Sequence, residues 1–151
     1  MYPYENDSMQ PTTLLQTNKE IALHFFQETW EKCNLAAVDR LTSKDFKVSY
    51  PVLPAPLDAE GFKAWLTDIH TGFPDLRMII TDTIAEADKV VIAWQAKATQ
   101  TGELKLINLP PTGRSVSYTG IIIYRIVAGK IVEERGEEDV LGLLKQLGLI
   151  P

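Results

Sequence analysis

The chain has 151 residues, of which 45% are apolar, and its formal net charge at neutral pH is −5. This length suits one domain with a single hydrophobic core, and the 15 scattered basic residues argue against a nucleic-acid surface. One cysteine excludes an internal disulfide, and without an apolar run of roughly 20 residues or a signal-peptide pattern we expect a cytoplasmic protein with no membrane partner.

The first residues differ in character from those that follow. Residues 1–16 contain two prolines and no hydrophobic periodicity, so they are predicted to form a flexible tail before a single domain over residues 17–151. Thr17 and Glu20 have the spacing of a capping box. Buried-type side chains then recur at helical spacing as far as Trp30, which predicts a helix over residues 17–32.

Two more helices are predicted before Pro74. The first is short and covers residues 35–41. The segment PVLPAP then forms an irregular loop because it holds three prolines in six residues. Asp58 is a suitable N-cap for the next helix, which presents an apolar stripe that includes Trp65 and ends at Gly72.

After Pro74 the pattern changes from helical to extended. Four segments rich in valine, isoleucine, threonine and aromatic residues predict strands over residues 76–84, 90–99, 116–126 and 130–135. Connections as short as Ala128-Gly129 join antiparallel neighbours. A last helix is predicted to begin near Glu138. Helices followed by a strand meander predict an α+β fold, with the helices covering one face of a curved antiparallel sheet.

A helix layer over a curved sheet forms a cone whose open end can hold a small apolar ligand. Alternation along the third strand places Tyr118 and Ile122 on one face, together with other apolar residues. Trp30, Trp65 and Trp94 would suit the lining of such a cavity. Composition alone favours the simpler interpretation, in which these aromatic residues belong to the core.

Two segments carry a family resemblance: EGFKAWLTDIHTGFPDLRMIITDTIAEADKVVIAW, at 60–94, and PPTGRSVSYTGIIIYRIVAGKIVEERGEEDVLGLLKQLG, at 110–148. In order and spacing the chain resembles the SnoaL-like polyketide cyclase (ester cyclase) family of the nuclear transport factor 2-like superfamily. The resemblance implies a cone-shaped sheet and closure of a polyketide ring by aldol condensation, without metal or cofactor. It also implies a carboxyl group as general acid and base in an apolar cavity, where burial raises its pKa into a useful range.

The chain departs from the family pattern at the positions that carry the chemistry. Gly136 occupies the position of the family's usual catalytic aspartate, and Ile122 stands where relatives have His or Asp. Gln100 falls in a segment where relatives carry a histidine. The two histidines of this chain, His24 and His70, lie on predicted helices and are interpreted as ordinary helix-face residues.

The acidic segment EERGEED leaves one candidate acid. Strand alternation counted from Gly136 places Glu134 on the cavity side. Glu138 and Asp139 are interpreted as acids at the start of the last helix, where they would cap it, and Glu137 as solvent-exposed. Glu134 is therefore the predicted catalytic residue, with a pKa raised by burial and with Gln100 and Tyr118 nearby.

Two hypotheses remain open. The chain is either a cofactor-independent cyclase or isomerase that acts on a hydrophobic carbonyl compound or epoxide, or a non-catalytic module that binds a small ligand or dimerises. A homodimer is expected through the outer sheet face, where Ile121 and Ile123 alternate with the cavity side. No metal is expected. The predicted pocket consists of Trp30, Tyr50, Trp65, Trp94, Gln100, Tyr118, Ile122 and Gly136.

Overall fold

The computed structural model describes residues 9–151, which form four α-helices and one five-stranded sheet. The helices are α1 (Met9–Phe26), α2 (Leu35–Leu41), α3 (Ala59–Gly72) and α4 (Val140–Gln146). The strands are β1 (Thr42–Ser49), β2 (Arg77–Glu86), β3 (Lys89–Thr99), β4 (Ser115–Val127) and β5 (Lys130–Glu138). The predicted helices α2 and α3 are confirmed, and the Asp58 carboxylate caps α3 by accepting a hydrogen bond from the Gly61 amide at 2.9 Å.

Helix α1 begins earlier than the sequence predicted. It starts at Met9, so Thr17 and Glu20 lie inside the helix, and Glu20 accepts a hydrogen bond from Gln16 one turn before it. A residue bonded along the helix face has no role as a cap. The segment predicted as a tail is therefore helical from residue 9 onward, and residues 1–8 lie outside the described part of the chain.

A widened turn follows α1 and carries Trp30 into the interior. Residues Gln27–Glu31 form a π-helical turn, in which the Lys32 amide donates to the Gln27 carbonyl at 3.0 Å. The wider turn directs both Thr29 and Trp30 inward, and both are buried. Nε2–H of the half-buried His70 donates to the Trp30 carbonyl oxygen at 2.9 Å, which ties α3 to this turn. Such π turns are frequent at functional sites.

The sheet is curved and has the strand order β1-β5-β4-β3-β2. Strands β2 to β5 form the predicted antiparallel meander, and the turn Ala128-Gly129 uses two residues with positive φ, 50° and 77°. The prediction of a wholly antiparallel sheet is wrong at one edge, because β1 pairs in parallel with β5. No short connection links β1 to the meander, so hairpin geometry does not fix its direction.

The helices cover the concave face of the sheet. Alternate residues of β3 and β4 point to this face and are buried, as the sequence pattern predicted. Phe25 of α1 packs edge-on against Phe46 of β1 and Tyr124 of β4, with ring centroids 5.9 and 5.7 Å apart. Within residues 9–151, no helix is both long and apolar enough to cross a membrane.

Candidate functional site in the cone

Strand β5 supplies the polar residues of the cone interior. It extends through Glu138, three residues beyond the predicted end at Arg135. Glu134, Gly136 and Glu138 therefore share the concave face, where they pair with Tyr124, Ile122 and Gly120 of β4. The side chain of Glu134 is completely buried on this face.

Glu134 is held by two aromatic side chains. The Tyr50 hydroxyl donates to Oε2 at 2.9 Å, and the Trp30 indole N–H is shared between Oε1 and Oε2 at 3.3 and 3.2 Å. The buried Tyr124 hydroxyl lies near the same carboxylate, but its geometry falls short of a hydrogen bond. Two donors thus occupy both oxygens of a carboxyl group that water does not reach.

Burial raises the pKa of Glu134 from its ordinary 4.5 to about 7. The nearby hydroxyls of Tyr50 and Tyr124 and the Trp30 N–H oppose this shift, because they favour the ionised carboxylate. The pKa of the Tyr50 hydroxyl is also raised, first by burial and then by the neighbouring Glu134 charge. The site therefore holds a carboxyl group that gains and loses a proton near neutral pH.

Aromatic rings fill the space beside the glycines of this face. A β-carbon at Gly136 would overlap the Tyr50 ring, and a β-carbon at Gly120 would overlap the indole of Trp94. Gly136 is thus required by close packing, and the space for an acidic side chain at that position is taken by Tyr50. Trp94 packs edge-on against Tyr118, with ring centroids 5.6 Å apart.

A small cavity remains between these rings. Its volume is about 10 Å³, and its lining includes Trp30, Tyr50, Trp94, Tyr118 and Glu138. This is close to the roughly 10–15 Å³ that one water molecule needs. The predicted open cavity is therefore almost closed, and a ligand of several carbon atoms requires these side chains to move.

Glu138 is the functional candidate that the sequence interpretation missed. It is half-buried at the cavity, burial raises its pKa from 4.5 to about 7, and its carboxylate makes no hydrogen bond or ion pair within residues 9–151. The cap of α4 is Asp139 alone, which accepts from the Gly142 amide at 2.9 Å. Alternation carried two residues beyond Gly136 would have identified Glu138.

Gln100 does not lie in the cavity, contrary to the prediction. Its buried side chain donates to the carbonyl oxygens of Gly102 and Pro110 at 2.8 and 3.1 Å and accepts from the Thr112 amide at 2.9 Å. These bonds fasten the loop between β3 and β4. Because the side-chain amide of Gln100 is hydrogen-bonded to the backbone of this loop, it has no free group for a ligand.

Trp65 separates the Glu134 cluster from a larger groove. Its ring packs against Trp30 and Tyr50, with centroids 5.1 and 4.8 Å apart, and its buried indole N–H has no hydrogen-bond partner in the described chain. Its other side lines an open groove of about 710 Å³, bordered by the loop at Leu53, the outer side of α3 and Leu106. Across residues 9–151, no group of three His, Cys, Asp or Glu side chains is placed to hold a metal ion.

Comparison with known proteins identifies related sequences and folds. The sequence profile of the SnoaL-like polyketide cyclases matches residues 20–147. A comparison with curated proteins finds no match.

Several solved structures have the same fold. AclR, a candidate hydroxylase from Streptomyces galilaeus, has a TM-score of 0.79 and 25% identity, with 91% of this chain and 88% of that chain covered. A SnoaL-like protein from Jannaschia sp. CCS1 has a TM-score of 0.80 at 21% identity, covering 90% and 94%. IdmH, a candidate polyketide cyclase from Streptomyces antibioticus, has a TM-score of 0.72 at 25% identity, covering 86% and 98%.

Proposed function

Because the chain belongs to the SnoaL-like polyketide cyclase family, we propose that it binds a small hydrophobic carbonyl compound and acts on it by acid–base chemistry of the cyclase or isomerase type. One observation carries this proposal, the buried Glu134 with a pKa of about 7. A carboxyl group with such a pKa both accepts and returns a proton at neutral pH. This chemistry needs no cofactor.

Tyr50 connects Glu134 to the space where a ligand would lie. The Tyr50 ring lines the small cavity, and the Tyr50 hydroxyl donates a hydrogen bond to Glu134. One hydroxyl group therefore links the carboxylate to the cavity. Closing a ring or moving a double bond beside a carbonyl group requires transfer of a proton from carbon. Glu134 and Tyr50 together set the charge and the hydrogen bonding at the edge of the cavity where such a transfer takes place.

A second candidate function is ligand binding without catalysis. The Tyr50 ring lies where a side chain at position 136 would lie, and the cavity has a volume of about 10 Å³. Both facts suit a binding scaffold that lacks the family's aspartate. The named relatives also differ, since IdmH is a candidate polyketide cyclase and AclR a candidate hydroxylase.

The outer face of the sheet supports a homodimer. Three exposed isoleucines lie on this face: Ile79 and Ile84 of β2, which are 42% and 61% exposed, and Ile121 of β4, which is 48% exposed. Exposed apolar residues grouped on one sheet face are typical of an interface. A second copy of the chain is the proposed occupant, and a cytoplasmic location remains a prediction.

The experiment follows by ¹H NMR the exchange of the α-protons of 2-tetralone, a cyclic ketone fused to a benzene ring, for deuterium in D₂O. We expect the wild-type protein to accelerate exchange over buffer and Glu134→Gln to return it to the buffer rate. The matched control is Glu137→Gln, which removes an exposed carboxylate of the same strand and should keep the wild-type rate. Quenching of tryptophan fluorescence by bound 2-tetralone without any acceleration would favour the binding module instead.

A further inference from the structure

Glu138 lines the cavity of the cone and also borders an open groove of about 570 Å³ beside Trp94 and Gly120. It lines this cavity beside Trp30, Tyr50, Trp94 and Tyr118, and no described residue gives it a hydrogen bond or an opposite charge. We propose that Glu138 is the base that takes the proton from the bound ligand, while the Tyr118 hydroxyl donates to the carbonyl oxygen of that ligand. This assignment rests on the function proposed above and names the group that touches the substrate.

Glu134 is poorly placed for direct contact with a ligand. It is fully buried, Trp30 and Tyr50 use both of its oxygens, and these two aromatic residues rather than Glu134 line the cavity. A ligand in the cavity meets the Tyr50 ring before it meets Glu134. The structure therefore divides the two acids into a positioning residue, Glu134, and a contact residue, Glu138.

Glu138 is half-buried, and its carboxylate has no hydrogen bond or opposite charge among the described residues. Partial burial disfavours its charged form, and a carboxylate without a partner at the edge of a cavity is a candidate for function. Glu138 and Glu134 lie on the same face of β5, and the negative charge of Glu138 opposes ionisation of Glu134. Other titratable groups near Glu138 are its neighbours Glu137 and Asp139, which line the open groove with it, and the hydroxyls of Tyr50 and Tyr118, both of which remain protonated.

Tyr118 provides the complementary donor. Its ring lines the same cavity, and its hydroxyl makes no hydrogen bond with another residue of the described chain. Burial, followed by the charge of Glu138, raises the pKa of this hydroxyl, which keeps its proton available for donation. Tyr118 and Glu138 thus give the cavity one free donor and one free acceptor.

These two groups define the chemical class of the ligand. Among the residues that the structure describes, no lysine, arginine or histidine lines the cavity, so a ligand with its own negative charge would be repelled by Glu138. An uncharged aromatic ketone with an acidic α-C–H bond fits instead. Its α-proton moves to a Glu138 oxygen, the C–H electron pair forms the C=C bond, and the carbonyl π pair moves to oxygen, which accepts the bond from Tyr118. Return of the proton to carbon regenerates the carboxylate.

The first test uses the exchange of 2-tetralone α-protons. Glu138→Gln should lower the protein-catalysed rate by at least about 100-fold, and Tyr118→Phe on the order of 100-fold, with little change in the 2-tetralone concentration that gives half-maximal rate. Glu137→Gln should retain the wild-type rate. A Glu138→Gln protein as fast as wild type, while Glu134→Gln is inactive, would overturn the assignment of Glu138 and leave the proposed function intact.

The second test does not depend on turnover. The glutamate carboxyl carbons are labelled with ¹³C, and Glu138→Gln identifies the Glu138 signal. Addition of 2-naphthol, an uncharged analogue of the tetralone enol, should shift that signal, whereas the anion 2-naphthoate should leave it unmoved. An unmoved Glu138 signal with 2-naphthol overturns the proposal. A shifted signal in a protein that gives no exchange would keep Glu138 as the ligand contact and reject the proposed chemistry.

Discussion

The aromatic ring of Tyr50 lies directly over Gly136, and a β-carbon added at position 136 would overlap its ring atoms Cε1 and Cζ. We therefore expect Gly136→Ala to lower the free energy of unfolding by about 1–3 kcal/mol, the usual cost of overpacking. Tyr50→Phe keeps the ring and should not relieve this loss, whereas Tyr50→Ala should relieve most of it. Urea unfolding of the single and double variants measures the coupling, and strictly additive losses would contradict the contact.

The same contact changes the expectation for restoring the family's aspartate. Gly136→Asp alone should destabilise the protein and give no activity, because its side chain collides with Tyr50. Combined with Tyr50→Ala, the aspartate has room beside Ile122, which pairs with position 136. Both variants are therefore made in a background with Glu134→Gln and Glu138→Gln, where the wild-type activity is absent. Exchange of 2-tetralone protons by the Gly136→Asp, Tyr50→Ala combination but not by Gly136→Asp alone is the expected result, and activity of Gly136→Asp alone in this background would show that Tyr50 does not block the position.

Much of this arrangement was predictable from local patterns. Helices α2 and α3 followed from periodicity and the Asp58 cap, and the orientation of Glu134 followed from strand alternation. Glu138 was missed because an acid beside a helix start has the same sequence signal as a cap. The loop role of Gln100 depends on backbone carbonyls that are distant in sequence, which residue patterns do not encode.

Stability should depend on the ionisation of Glu134. Its pKa is about 7 in the folded protein against 4.5 ordinarily, so the folded state binds more protons between these values. The contribution of Glu134 to the free energy of unfolding is therefore fully present below pH 4.5 and is lost as the pH rises through 7. The loss amounts to about 3 kcal/mol. Glu134→Gln should lose less stability than wild type between pH 5 and pH 8 in urea unfolding.

Glu138 titrates in the same window with the same sign, because burial raises its pKa to about 7 as well. Glu134→Gln should therefore remove part of the pH dependence, and the double variant with Glu138→Gln should remove more. Glu137→Gln, on the exposed side of the strand, serves as the control. If the free energy of unfolding depends on pH identically in the wild type and in Glu134→Gln, Glu134 has the same pKa in the folded and unfolded states.

The Tyr50 hydroxyl should stabilise the ionised form of Glu134. Tyr50→Phe removes the 2.9 Å hydrogen bond and should cost about 1–3 kcal/mol at pH 8, where the carboxylate is charged. The pKa of Glu134 should rise further, since a bond that favours the charged form is lost. In a Glu134→Gln background the same substitution should cost less. Urea unfolding measures the cost of Tyr50→Phe in the wild type and in Glu134→Gln. Equal costs would show that the Tyr50 hydroxyl does not stabilise the charged form of Glu134.

The proposed dimer predicts a response to charge on the outer face. Ile121 is 48% exposed there, and Ile121→Lys should shift the protein to monomer in sedimentation velocity at micromolar concentration. Leu14→Lys is the matched control, because Leu14 is 56% exposed on α1, in the helix layer that covers the opposite face. A monomeric wild-type protein, or a dimer that survives Ile121→Lys, would contradict the proposed interface.

The most direct test of the site is the titration of Glu134 itself. The glutamate carboxyl carbons are labelled with ¹³C and followed by NMR from pH 4 to pH 9, and Glu134→Gln identifies the signal by its absence. We predict a midpoint near pH 7, which rises in Tyr50→Phe. A Glu134 signal that titrates near its ordinary value of 4.5 would contradict a buried acid in the cone and, with it, acid–base chemistry by this carboxyl group.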